Sequence, residues 1–167
     1  MDAATKRRSA EHIRRIVTSQ LKPFGLIRGK TSFWVRPQGH VIEFLHLHLF
    51  RFGAAFRVHA GLRVLNDTFE AAALNGPTST ESWTDSRKVY ALEFTSVPSS
   101  LESCASDIVR FYTEVAEPWF ARFRDPRMLL RQDSPLDESL RSRLELALQG
   151  SADSEAVRMS MRLLGVA

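Results

Sequence analysis

The chain has 167 residues, 44% of them hydrophobic and 25% charged, which is the profile of a globular domain and excludes a disordered or fibrous chain. Its single cysteine, Cys104, excludes an intramolecular disulfide framework and a four-thiolate zinc site within one copy. No run approaches the roughly 20 apolar residues of a membrane span and the start shows no signal-peptide core, so a cytoplasmic, bacterial-type protein with no membrane association is expected.

The net charge of +4 is unevenly spread. Residues 1–30 carry eight basic side chains against Asp2 and Glu11, whereas residues 66–107 carry seven acidic ones against Arg87 and Lys88. Residues 5–21 place Ile13, Ile16, Val17 and Leu21 at helical spacing with Arg7, Arg8, Arg14 and Arg15 on the other side, predicting an amphipathic helix docked on a sheet. Pro23 and Gly25 end it. Three aromatic and β-branched stretches follow, at 26–35, 41–52 and 55–64, with Pro37-Gln38-Gly39 and Gly53 at the joints. Joints this short hold no crossover helix, so the strands should be antiparallel neighbours.

In 55–64, Phe56, Val58, Ala60, Leu62 and Val64 share one face and Arg57, His59, Gly61 and Arg63 the other, giving one core face and one polar face. In 41–52 both faces carry apolar residues, as suits a central strand covered at least partly on each side. Residues 66–86 lose periodicity and read as a long loop with one helical turn at 69–74. Residues 87–95 return to alternation, with Tyr90, Leu92 and Phe94 on one face, and read as the last strand.

From Ser99 the pattern is helical. Ser99 or Ser100 is the expected N-cap, and Leu101, Cys104, Ile108, Phe111, Val115 and Trp119 form an apolar stripe that Pro118 kinks or ends. Ser134 followed by Pro135 resembles a second helix start, leading to Leu136, Leu140, Leu144 and Leu148, and a last helix spans about 154–164. The expected fold is a single α+β domain over 1–167: an antiparallel sheet of about four to five strands packed against an N-terminal helix and C-terminal helices.

His46 and His48, two apart on a strand, point the same way, with α-carbons about 6.6–6.8 Å apart, a spacing that can place two imidazoles on one metal. His59, if cross-strand adjacent, is the third candidate ligand; Glu43 fails by parity, pointing to the opposite face. The plainer reading is sheet histidines that hydrogen-bond locally. Glu43 and Glu93 as paired carboxylates would need a cleft between them; otherwise both face solvent or pair with Arg57, Arg63 or Arg87. Cys104 lies on an apolar stripe and reads as a small buried hydrophobe. Neither phosphate-binding glycine loop is present, and neither G-x-S-x-G nor H-E-x-x-H occurs. The sheet aromatics beside arginines could stack bases, though core packing accounts for most of them.

The run Leu21-Lys22-Pro23-Phe24-Gly25-Leu26, the Thr31-Ser32-Phe33-Trp34 strand and Phe56-Arg57-Val58-His59-Ala60-Gly61-Leu62 resemble the bacterial domain-of-unknown-function family numbered 4304. Glu117-Pro118-Trp119-Phe120 falls where such proteins tend to have a helix ahead of their C-terminal part. The resemblance covers about residues 8–125, leaving a helical extension at about 134–164. It implies a compact α+β domain and carries over no catalytic residue. Related proteins often have a polar residue such as glutamine in mid-strand where this chain has His46 and His48.

Three functions are open to such a chain. The leading expectation is a non-enzymatic binding or protein-interaction domain with no cofactor, Trp83 in the acidic loop being the aromatic anchor for a protein partner. A second is a metal-dependent, hydrolase-like enzyme that holds a divalent metal at His46, His48 and His59. The third is nucleic-acid or polyanion binding through Arg7, Arg8, Arg14 and Arg15.

Overall fold

The computed structural model describes residues 1–80 and 89–166. Helix α1 (Ala3–Leu21) is capped by the Asp2 carboxylate, which accepts from the Thr5 amide at 2.9 Å. It buries Ala10, Ile13, Val17 and Leu21, the stripe that the 3.6-residue period dictates. A 3-10 turn over Lys22–Phe24 ends in Gly25 at φ 79°, where a side chain would strain the backbone.

The sheet is a four-stranded antiparallel meander of order β1-β2-β3-β4: β1 (Ile27–Arg28), β2 (Phe33–Gln38), β3 (Val41–Leu49) and β4 (Phe56–Val64). The stretch read as one strand at 26–35 is instead a hairpin, turned by residues 29–32, where the Phe33 amide donates to Lys30 O at 3.1 Å. The edges are blunted. Pro37 removes a donor from β2, while segments at 77–79 and 92–94 bond the free edge of β4. Of the expected last strand at 87–95, residues 87 and 88 lie outside the described residues, and 89–95 form only a bridge between Ala55 and Glu93, although Leu92 and Phe94 are buried as their alternation required. No helical turn forms at 69–74; that segment is held by side-chain bonds described below.

Parity sorts the sheet. Val41, Leu45 and Leu47 of β3 and Phe56, Val58, Ala60, Leu62 and Val64 of β4 face α1 and α2 (Pro98–Phe111) in the main core. The other face carries a second, smaller core of Val35, Ile42, Phe44 and Leu164, with Phe33, Leu65 and Ala72 against it. Leu164 ends α6 (Ser154–Leu164), whose chain approaches so closely that a Cβ on Gly29 would lie 2.1 Å from the Leu164 carbonyl oxygen.

Helix α2 starts at Pro98 with no side-chain cap; Ser100 Oγ instead accepts from the Thr95 amide at 2.9 Å. A π-helical turn over Tyr112–Ala116 joins α2 to α3 (Glu117–Phe123). Its extra residue per turn shifts the stripe, so Tyr112, Ala116, Phe120 and Phe123 are buried and Val115 and Trp119 only partly so. After the short α4 (Pro126–Leu129), α5 (Glu138–Leu148) is capped by Asp137 and not by Ser134, its carboxylate accepting from the Leu140 amide at 2.8 Å.

Candidate functional site

Among the described residues, the small core on the second sheet face ends at Phe44. Beyond Phe44 lie Phe33, His46 and His59, paired in register straight across β2, β3 and β4, and one step further His48 opposite Arg57. Phe33 stacks on His46 at 4.5 Å between centroids and 24° between planes, and His59 lies parallel beyond it at 6.1 Å and 21°. The three rings thus stand on edge as a column, their faces turned to one another and not outward. His48, 6.2 Å from His46, packs edge-on to Phe50 at 5.6 Å, and the Arg57 guanidinium lies over the Phe50 ring at 5.1 Å.

His46 is half-buried and its Nδ1, like Arg57 Nε, has no hydrogen-bond partner among the described residues. Burial, aided by the neighbouring His59 and His48, holds the His46 imidazole down at about 4, so it is neutral at neutral pH. The structure thus brings together the three histidines that spacing and parity singled out. Among the described residues, no group of three or more His, Cys, Asp or Glu side chains is arranged to hold a metal ion. The stacked column explains this for His46 and His59, because near-parallel rings do not converge their nitrogens on one point.

The glutamates take other roles. Glu43 is not solvent-facing but 2% exposed, on the main-core face opposite Arg36. Arg36 donates from Nε to Glu43 at 2.6 Å, from Nη1 to the Phe24 carbonyl at 2.7 Å and from Nη2 to Glu117 at 2.7 Å. Arg124 donates to Glu43 at 3.1 Å and to Glu117 at 2.5 Å, and Tyr112 Oη donates to Glu117 at 2.5 Å. Burial opposes ionisation of Glu117, but the bonds from Tyr112, Arg124 and Arg36 outweigh it and hold its carboxyl below the usual range. The cluster is a network of ion pairs that ties β2 and β3 to α3 and the residue after it. Glu93 is exposed on the far side of β4, so it forms no pair with Glu43.

Arg63, expected on a polar face, is 1% exposed. It pairs with Asp67 at 2.6 Å, donates to the carbonyls of Asp67, Phe69 and Ala71, and reaches Ser160 Oγ at 2.9 Å. Cys104 is buried as expected, and burial, with Asp107 nearby, pushes its thiol up to about 12, which leaves it inert as a nucleophile. On α1, Arg7, Arg8 and Arg15 are exposed, but Arg14 folds inward over the Phe56 ring at 5.5 Å and is no part of an open basic face. Trp83 lies outside the described residues.

No protein-family model, curated protein or solved structure matches the chain. No helix among the described residues is long and apolar enough to cross a membrane.

Proposed function

We propose that the chain is a non-enzymatic binding domain that engages a protein partner through the ring-bearing part of its second sheet face. The observation that carries this reading is the band of rings from Phe33 through His46 and His48 to Phe50, an aromatic surface on a hydrogen-bonded sheet. Such a surface suits protein recognition, in which rigid aromatic side chains supply contact area at low entropic cost. The locked Glu43–Arg36–Glu117–Arg124 cluster and the inert Cys104 supply no competing catalytic group. Trp83 stays in the proposal as a second anchor on the sequence argument alone, and cytoplasmic location belongs to the same reading.

The test is mass spectrometry of what co-purifies with the lightly tagged protein from its native organism, with and without nuclease treatment. One near-stoichiometric protein that resists nuclease, and is lost from a His48→Ala, Phe50→Ala variant, supports the reading. Retention of nucleic acid by Arg7, Arg8 and Arg15 would favour polyanion binding instead. Stoichiometric divalent metal lost from His46→Ala would favour the metal-dependent enzyme, for which the closeness of His48 and His59 to His46 is the supporting observation.

A further inference from the structure

The ring band runs from Phe50 into the loop between β3 and β4, whose tip is Phe52. At 84% exposure it is the most open large hydrophobic side chain among the described residues. Gly53, at φ 76°, turns the chain immediately after it. The tip is held from three directions. Lys6 of α1 donates from Nζ to the carbonyls of Phe50 and Arg51 at 2.6 and 3.0 Å, the Phe50 amide donates to Ala55 O at 3.1 Å, and the Phe94 amide donates to Ala54 O at 2.8 Å. These bonds fix the backbone that carries Phe52, so presenting its ring requires little further ordering of the loop.

Phe52 forms the ridge between two open hollows. One, about 520 Å³, lies toward Glu93, Phe94 and Ser100. The other, about 550 Å³, has the half-buried Leu49 and Ala54 for its floor and the exposed Met1, Arg7 and Arg51, with Lys6, around its rim. Among the described residues its lining contains no carboxylate, and the nearby Asp2 carboxylate is engaged in capping α1. The Arg51 guanidinium lies over the Phe52 ring at 5.6 Å, so cation and aromatic are offered together. An apolar floor inside a cationic rim complements a segment that carries a large apolar side chain among acidic ones. A second copy of this chain is a poor occupant, because a two-fold contact would set Arg7 and Arg51 against their own symmetry mates.

We propose that the β3–β4 tip is a docking surface for an acidic segment of a partner protein, with Phe52 as the anchor and Lys6, Arg7 and Arg51 as the charge-selecting rim. This rests on the reading of the chain as a protein-binding domain and names the chemistry of the partner.

The test pans a phage-displayed library of random dodecapeptides against the full chain, with a Phe52→Ser, Arg51→Glu variant in parallel. Both substitutions are on exposed side chains, and matching thermal melts confirm folding. Enriched sequences should combine Asp or Glu with a large apolar residue. A synthetic peptide of the winning sequence should lose at least about tenfold in affinity on the variant, on Arg7→Glu alone, and between low salt and about 0.3 M salt. Peptides that bind the variant equally overturn the docking site but leave the binding-domain reading standing, and so do enriched sequences that are basic or neutral. Absence of any enrichment counts against both. Binding of phosphatidylcholine–phosphatidylserine vesicles that depends on Phe52 would place the tip on a lipid surface and likewise overturn the proposal.

Discussion

His46 is held neutral by where it sits, between Phe33 and His59 on a sheet that gives its Nδ1 no partner among the described residues. Its imidazole titrates at about 4 in the fold and at about 6.5 when unfolded. The unfolded chain therefore takes up a proton first as pH falls. The stability that this neutral imidazole gives is intact above about 6.5, drains away down to about 4, and does not change further below that. Because the ring is only half-buried, solvent screening reduces the effect to on the order of 1 kcal/mol. Urea unfolding at pH 7 and pH 4 should show wild type losing more stability than His46→Phe by about that amount; equal losses would mean that the column does not control the imidazole. The trio was legible from the sequence, since parity aligns His46 with His48 and short joints make His59 a cross-strand neighbour. The stacking was not, because it depends on rotamers set by Phe33. Glu43 was legible in principle as well: its parity is that of Val41, Leu45 and Leu47, and the short turn after Pro37 puts Arg36 opposite it.

Strand β4 folds as its alternation demands, yet its most exacting position is a glycine. Gly61 pairs with Phe44, whose ring lies across it so closely that a Cβ there would sit 2.3 Å from Phe44 Cζ. The ring covers backbone that the glycine leaves bare, which fixes the register of β3 against β4 and with it the alignment of His46 with His59. Gly61→Ala should therefore cost about 1–3 kcal/mol, the usual range for overpacking a filled core. Phe44→Leu, costly alone, should recover part of that loss in the Gly61→Ala background. A double-mutant cycle by urea denaturation reads the coupling, and simple additivity would show that the clash is not the cause. The helices show where periodicity runs out. The expected stripe through Val115 and Trp119 and the observed one through Tyr112, Ala116, Phe120 and Phe123 are both apolar at helical spacing. Only the π turn selects between them, and no residue pattern marked it.

The sequence pattern predicts the last helix at 154–164 but not what it covers. The structure makes it part of the sheet's second face. Leu164 completes the small core with Val35, Ile42 and Phe44, and Ser160 accepts from the buried Arg63. Asn66 ties the segment further, donating to the Arg143 carbonyl at 3.0 Å and accepting from the Asp153 amide at 2.7 Å. The hydrogen bonds among these contacts join residues 77 to 97 positions apart, and no local pattern encodes them. They also decide where the small core ends and the ring band begins. Deleting residues 151–167 would open the small core and leave Arg63 short of a partner. By analogy with burying an uncompensated polar group and removing a core leucine, the loss should be about 3–5 kcal/mol. Urea unfolding should then show a midpoint far below wild type, and the shortened chain should bind a hydrophobic dye under native conditions. An unchanged midpoint would make α6 an appendage and residues 1–150 the stable unit. Leu164→Ala, which keeps the helix and empties one position, should fall between wild type and the deletion, as it must if the packing of α6 on the sheet carries the effect.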